Sequence, residues 1–284
     1  MMPQARTDQS WSRPAAVAGK FYPAEAASLR RVVEELLGCN PKAPSIEARN
    51  RSASPKAIIA PHAGYPFSGP VAGSAYRWLR QSRGLVKRVV LFGPDHRMRV
   101  CGIATSSASS FTTPLGKIRI DDTAACGLMK LPTVAVNDEA HASEHGLEVQ
   151  LPFLCATLGS VDHPTDDFSI VPLLFGLSNG LQAAQVIDSL WGGPETLIVV
   201  SSDLSHYHDH ATASQLDQET AIAIERGASE HVGPEQACGH VAIQALLHLA
   251  RQRGLACQCV DLRNSGDTAG PKDQVVGYGA FIFT

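Results

Sequence analysis

Three apolar segments of this chain each run into a histidine. The segment KAIIAP is followed by His62, RVVLFGPD by His96 and TLIVVSSDLS by His206. Imidazole binds iron, copper and zinc, and it also exchanges protons near neutral pH. A single histidine in such a place is usually a hydrogen-bonded structural residue. Three of them after three buried strands predict a shared metal or acid–base site.

Asp203 and Cys238 are the other residues whose types suit this chemistry. Asp203 lies three residues before His206. It could orient an imidazole, bind a metal, or act as an N-cap of the following segment. Cys238 lies near the start of a predicted amphipathic helix, whose dipole lowers a thiol pKa and favours a metal-binding thiolate. A small buried residue at the start of a helix explains Cys238 equally well.

The remaining histidines give weaker signals. His145, within SEHGLEVQLP, is predicted to line the pocket or to cap a helix. His208 and His210 follow His206 closely and are expected on an exposed loop. Hydrolysis, with zinc at the pocket or with Ser202 as nucleophile, is a further alternative, and its serine version is disfavoured because Ser202 does not lie within a GxSxG motif.

The elements that position these residues alternate along the chain. Apolar runs without polar alternation indicate strands buried on both faces, and intervening amphipathic segments indicate βαβ units. Predicted strands cover 56–61, 88–93, 101–107, 116–122, 167–176, 196–203, 255–263 and 275–284. Predicted helices cover 70–81, 123–129, 144–158, 181–191, 211–226 and 235–252. We expect one α/β domain with a mostly parallel or mixed central sheet covered by helices, and ligands in such sheets bind at the carboxyl ends of strands.

Charge and composition exclude several classes of protein. Lys+Arg is 24 and Asp+Glu is 27, a formal net charge of −3, so neither nucleic acid nor an anionic membrane is an expected partner. The first residues lack the apolar core of a secretory signal, and no apolar run could span a bilayer. Seven scattered cysteines suit reduced thiols in the cytoplasm. Residues 1–12 are expected to form a disordered tail before a single domain over 13–284.

Several longer motifs resemble one known family. They are RPAAVAGKFYPA (13–24), IAPHAGYPFSGPVAGSAY (59–76), LFGPDH (91–96), FTTPLGKIRID (111–121), SEHGLEVQLPFL (143–154), VVSSDLSHY (199–207), ACGH (237–240) and VGYGAFIF (276–283). This ordered pattern resembles the Memo family, whose bacterial and archaeal members are called AmmeMemoRadiSam system protein B. The matches extend over almost the whole chain, which makes the resemblance specific.

The resemblance implies a fold similar to that of class III extradiol dioxygenase catalytic subunits, which cleave catechol rings with non-haem Fe(II). It implies metal binding by His62, His96 and Cys238, with Asp203 and His206 beside them as catalytic groups. Fe(II) is the expected metal, with copper or zinc as alternatives. Cys238 replaces the carboxylate ligand of the dioxygenases, and this difference argues against ring cleavage itself. The family name implies companion proteins of the radical-SAM and AMMECR types.

Two hypotheses of different classes follow. The first is a metal-dependent redox enzyme acting on an unidentified small molecule, aromatic or phenolic in character, with His206 as the proton shuttle and His145 contacting the substrate. The second is a module without enzymatic activity that binds a metal or a peptide, as in signalling. Metal content together with oxygen consumption distinguishes them.

Overall fold

A computed structural model describes residues 11–38, 54–160 and 162–284, and within them the chain forms twelve strands and eight α-helices. The strands are β1 (Ser12–Arg13), β2 (Ala57–Ala60), β3 (Arg88–Pro94), β4 (Ile103–Thr105), β5 (Ser110–Thr113), β6 (Gly116–Arg119), β7 (Val134–Val136), β8 (Ser169–Phe175), β9 (Thr196–Ser201), β10 (His206–His208), β11 (Cys257–Asn264) and β12 (Val275–Phe283). The helices are α1 (Ala26–Gly38), α2 (Tyr65–Tyr76), α3 (Asp122–Leu128), α4 (Asp138–Ala142), α5 (Leu151–Leu158), α6 (Gly180–Ser189), α7 (His210–Glu225) and α8 (His240–Arg253).

The main sheet has the strand order β10-β12-β2-β9-β3-β8-β4-β7, and β11 also pairs with β12. Its four central strands, β2, β9, β3 and β8, run parallel to one another. The strands β12 and β4 flank them in antiparallel orientation. The prediction of one α/β domain with a mixed sheet is confirmed. Because the central strands are parallel, their carboxyl ends meet at a single edge.

Both faces of the central strands are buried, as their continuous apolar sequences predict. Successive residues of a strand point to opposite faces, so Ile58 and Leu91 join one hydrophobic cluster. Their neighbours Ile59 and Phe92 join a second cluster. The first cluster contains residues of α1, α2 and α5, and the second contains residues of α6, α7 and α8. Two layers of helices therefore enclose the sheet and hold its strand ends fixed.

The N-terminal segment contributes β1 to a second, three-stranded sheet with the order β1-β5-β6. Strand β1 begins at Ser12, whose hydroxyl lies 2.7 Å from that of Ser110. Arg13 is almost fully buried, forms an ion pair with Glu148, and donates hydrogen bonds to the carbonyl oxygens of His141 and Glu144. The first ten residues of the predicted tail lie outside the described residues. The contacts of Arg13 thus connect the beginning of the described chain to the segment that carries His145.

Prolines explain two differences between predicted and observed helices. The helix expected over 70–81 begins at Tyr65, because Pro66 occupies its first turn, where a missing N–H is tolerated. The helix expected over 144–158 begins only at Leu151, again with a proline, Pro152, in its first turn. Residues 144–147 are therefore a loop, followed by a short 3₁₀ turn over Glu148–Gln150. This places His145 in a connection and not on a helix.

Two findings about the described residues concern membrane-spanning helices and cysteines. In the described part of the sequence, no helix has both the length and the hydropathy needed to cross a bilayer. The six cysteines found there, Cys101, Cys126, Cys155, Cys238, Cys257 and Cys259, are all free thiols.

Burial of His141 predicts a loss of stability in weak acid. His141 is 1% exposed, and burial lowers its pKa to about 4. The unfolded chain binds a proton at this position below pH ~6.5, whereas the folded protein does so only near pH 4, so unfolding becomes easier as the pH falls between these values. The substitution His141→Gln keeps a donor for the carbonyl of Ala104. The unsubstituted protein should lose unfolding free energy between pH 7 and pH 4.5, and we expect this loss to be smaller by roughly 2–3 kcal/mol in His141→Gln. Urea denaturation of the metal-free protein at both pH values measures this difference.

The exposed His163 provides the control, because its side chain is 71% exposed. His163→Gln should leave the pH dependence of the unfolding free energy unchanged. Parallel pH profiles for His141→Gln and the unsubstituted protein would show that another group causes the acid sensitivity.

Candidate metal centre

Two of the predicted histidines lie where the sequence places them, just beyond the carboxyl ends of two strands that flank β9. His62 follows β2 by two residues, and His96 follows β3 by two residues. Both strands pair with β9 in parallel, so both loops leave the same edge of the sheet. Their imidazole rings meet edge to face with centroids 5.1 Å apart.

The third imidazole of this cluster is His145, from the loop before α5. Its ring centroid lies 4.7 Å from that of His96 and 5.5 Å from that of His62. One ring nitrogen from each of the three histidines lies within 4.8 Å of the others, which is a spacing that could hold a metal ion. The ring of Phe21, from the N-terminal segment, packs against the ring of His145 with centroids 4.8 Å apart.

A hydrogen-bond network determines which nitrogen of His62 is free. The hydroxyl of Ser201 donates its proton to the carbonyl oxygen of Gly146 at 2.6 Å and accepts a hydrogen bond from the Gln150 amide at 2.9 Å. Since that hydroxyl has only one proton, Nδ1 of His62, 2.9 Å away, must be the donor to Ser201. Nε2 of His62 therefore presents its lone pair. Burial lowers the pKa of His62 to about 4, so the ring is neutral at pH 7 and able to bind a metal.

Glu144 determines which nitrogen of His96 is free. Its Oε1 accepts a hydrogen bond from Nδ1 of His96 at 2.8 Å, and its Oε2 accepts one from the backbone N–H of His96. Burial opposes ionisation of Glu144, but the contacts with His145 and His96 and the N–H of Gly146 outweigh it and hold its pKa well below the usual range. Oε1 also lies 3.2 Å from Nδ1 of His145, although the two are not aligned as a hydrogen bond. One ionised carboxylate thus orients His96 and contacts His145.

The charge of Glu144 also acts on the protonation of His96. Burial opposes the charged form of the ring, but the hydrogen bond and the charge of Glu144 outweigh burial and raise the pKa of His96. Gly146 allows the close packing here, since a Cβ at this position would lie 3.3 Å from Oε1 of Glu144 and 3.5 Å from the rings of His62 and His96. Binding of a metal at Nε2 of His96 would displace a proton whenever this ring is charged.

Cys238 and Asp203 both lie next to His62. The sulfur of Cys238 lies 3.4 Å from Nε2 of His62 and accepts a hydrogen bond from the backbone N–H of Asp203. Asp203 in turn accepts the backbone N–H of His62 at 2.7 Å, which links the loops after β2 and β9. The expected lowering of the thiol pKa is wrong for the protein without a metal: burial and the charge of Asp203 raise the pKa of Cys238 to about 12. A metal would have to supply the charge that stabilises the thiolate.

His206 and Ser202 lie in the segment that follows β9. His206 is half-buried, begins β10, pairs with Val276 of β12, and has its ring 5.7 Å from that of Tyr207. Its role as a proton shuttle stays a prediction. The hydroxyl of Ser202 is fully buried, donates to the carbonyl oxygen of Asp203 and accepts the N–H of Gly239. These bonds leave Ser202 unsuited to act as a nucleophile.

Comparison with known proteins gives the family of this chain. The sequence model described as Memo-like protein matches residues 13–282. The chain belongs to the Memo-like family. Archaeal relatives include MEMO1 family proteins of Ignicoccus hospitalis, 35% identical, and Methanopyrus kandleri, 33% identical; each alignment covers 95% of this chain and 98% of the relative. A MEMO1 family protein of the bacterium Aquifex aeolicus is 32% identical with the same coverage.

Sequence reasoning about this Memo-like chain missed the residues that orient the histidines. These are Glu144, Gln150 and the backbone of Gly146, all from the loop and 3₁₀ turn before α5. A signal was present, because SEHGLEVQLP places acidic and amide side chains inside an otherwise apolar segment. Buried polar groups need partners, so such residues predict a hydrogen-bond network, although not which histidines it holds.

Proposed function

We propose that this protein is a metal-dependent redox protein whose metal, Fe(II) in the first place, is held by His62, His96 and Cys238. The observation that carries the proposal is the hydrogen bonding of the rings. Ser201 and Glu144 occupy Nδ1 of His62 and His96, so both Nε2 lone pairs are free, and the sulfur of Cys238 lies 3.4 Å from Nε2 of His62. Metal-bound histidines usually donate their second N–H to such a partner. When bound, a redox-active metal would supply electron transfer to or from a substrate.

The donor set fits a metal of intermediate softness. Two neutral imidazoles and a thiolate suit iron, copper or zinc better than magnesium or calcium. Fe(II) follows from the similarity to class III extradiol dioxygenases, and the thiolate suits copper as well. The same similarity supports a dioxygenase-like fold and a phenolic small molecule as substrate. The family name supports companion proteins of the radical-SAM and AMMECR types. The free thiols support a place in the cytoplasm.

The chain's own residues would bind and orient the substrate and move its protons. His145 and the Phe21 ring packed on it form one wall of the site. Asp203 and Glu144 place negative charge close to His62 and His96, which stabilises a cation between the loops. In this proposal His206 accepts and returns the proton of a substrate hydroxyl, a role that histidine often has in enzymes.

A second function, metal or peptide binding without turnover, has one observation in its favour. The resemblance to the dioxygenases implies that Cys238 stands where those enzymes have the carboxylate that binds iron. The two nearby carboxylates, Asp203 and Glu144, are engaged with backbone N–H groups of His62 and His96. A site with a soft donor in that position suits sequestration of copper as well as redox chemistry.

The test is elemental analysis of protein purified anaerobically without a histidine tag, followed by oxygen uptake with a panel of catechols and phenols. We expect close to one iron per chain and oxygen uptake with at least one phenol. Stoichiometric metal without uptake would support the binding module instead. Absence of bound metal under reducing conditions would contradict the redox function and metal sequestration alike, and would leave peptide binding as the function.

Glu144 gives a separate prediction about the site. Glu144→Gln keeps the size of the side chain but removes the charge that holds His96 and contacts His145. Loss of such an outer partner typically weakens metal binding 10–100-fold, and we expect about that decrease with no change in fold. Competition with a chromophoric chelator measures the affinity. Glu34→Gln, at a carboxylate that is 56% exposed and pairs with Arg80, is the matched control, and equal affinities for both variants would rule out this role.

A further inference from the structure

Asp217, on α7, is a buried carboxylate that the proposed function does not use. Its side chain is 2% exposed, and burial raises its pKa. Oδ1 accepts the backbone N–H of Ser205 at 3.0 Å, whereas Oδ2 is buried and has no hydrogen-bond partner among the described residues. An incompletely paired buried carboxylate is unfavourable for folding, so its presence calls for a role.

The carboxylate is packed against the backbone of β12 at Gly277. A Cβ at this position would lie 2.0 Å from Oδ2 and 2.5 Å from Cγ of Asp217, so only glycine leaves room for the carboxylate. The same glycine donates its N–H to the carbonyl oxygen of Ser205 and accepts the N–H of Leu204, both at 2.8 Å. Asp217, Ser205 and Gly277 therefore form an anchor, and this anchor fixes the backbone immediately before His206.

The backbone immediately after His206 is constrained as well. His206 pairs with Val276 and His208 with Val275, so the register shifts between them and Tyr207 is a bulge. Tyr207 has a φ of 64° and is 73% exposed, a conformation that a bulky residue rarely adopts. Such backbone persists only where the surrounding structure imposes it, and bulges re-aim neighbouring side chains. The anchor on one side and the bulge on the other determine the direction of His206.

We propose that Asp217 is the positioning residue of His206, acting through the backbone of Ser205 and the close contact with Gly277. The proposal rests on the proposed role of His206 as a proton shuttle, for which a fixed ring position is needed. Hydrogen bonding from Ser205 opposes the effect of burial on the pKa of Asp217, and His206 and His208 lie close enough to act on this carboxylate as well. Asp217 itself would contact neither metal nor substrate.

The test is NMR of the full-length metal-free protein with ¹³C-labelled histidine rings, in which His206→Gln identifies the His206 signal. In Asp217→Ala we expect that signal to move toward that of the exposed His163 and its contact with the Tyr207 ring to be lost, while the His62 and His96 signals stay in place. Asp217→Asn keeps an oxygen that can accept the N–H of Ser205, and it should restore most of the His206 signal position.

Asp138→Asn is the control for a purely structural effect. Asp138 accepts hydrogen bonds from Ser106 and Ser107 beside β4, which lies near the opposite end of the sheet from β10. This variant should lower the melting temperature without moving the His206 signal. If Asp217→Ala does not fold, Asp217→Leu removes the acceptor while keeping a side chain that branches at Cγ.

The proposal would be overturned if a folded Asp217→Ala or Asp217→Leu variant kept both the His206 signal and the Tyr207 contact of the unsubstituted protein. The measurement needs no turnover and no metal. Failure of the proposed function would appear instead as absence of bound metal or of oxygen uptake in the unsubstituted protein, so the two failures are distinguishable.

Discussion

His62→Ala, His96→Ala and Cys238→Ser should each lose most of the bound iron or copper while the fold is kept. Each substitution removes one donor of the proposed set, and the affinity should fall by more than the roughly 10–100-fold cost of losing an outer partner. The fold should survive because the hydrophobic clusters on both faces of the sheet do not depend on these side chains. Elemental analysis and chelator competition measure the loss, and circular dichroism checks the fold.

His145→Ala distinguishes the three-histidine donor set from the proposed set. The three imidazoles lie close enough together to hold a metal, whereas the proposed set replaces His145 with Cys238, whose sulfur lies 3.4 Å from Nε2 of His62. If the sulfur is the third donor, His145→Ala should keep the affinity within about tenfold, as for loss of an outer contact. Retention of metal by Cys238→Ser together with its loss in His145→Ala would show that the three-histidine set is the correct one. Retention by all of the variants would show that the metal binds elsewhere.

The fold was largely predictable because the strands of the main sheet are buried on both faces. Unbroken apolar runs such as TLIVVS and RVVLFG can lie only between two layers of helices, and their polar ends must then meet at one edge. His62 and His96 were therefore found from the sequence. The short strands β5, β7 and β10 were not predicted, since three or four residues carry too little periodicity.

The arrangement around the histidines could not be predicted in the same way. Glu144 and His145 come from a loop whose position depends on Arg13 and Glu148, more than a hundred residues apart in sequence. The thiol pKa of Cys238 depends on how deeply the sulfur is buried and on the nearby Asp203. Both properties arise from contacts between distant segments, which neither spacing nor helix position reveals.

His206→Ala is predicted to keep both metal and fold but to lower turnover by roughly 10²–10⁴-fold, which is the usual contribution of a general acid or base. Oxidation of a phenol requires a group that accepts the hydroxyl proton and later returns a proton. Histidine suits both steps because its unperturbed pKa of ~6.5 is close to working pH. His206 follows the carboxyl end of β9 by five residues. Pairing with β12 and the hydrogen bond between Asp217 and Ser205 hold its backbone in place.

The measurement is the rate of oxygen uptake with whichever phenol the panel identifies, at saturating substrate and equal metal content. His208→Ala is the matched control, since it removes an imidazole two residues away on the same short strand and should leave the rate unchanged. A structural role for His206 predicts a lower melting temperature with an unchanged rate. Loss of metal in His206→Ala would instead place this imidazole among the ligands. A rate equal to that of the unsubstituted protein would mean that the proton is moved by another group, and Asp203, which holds the backbone of His62, would be the next residue to substitute.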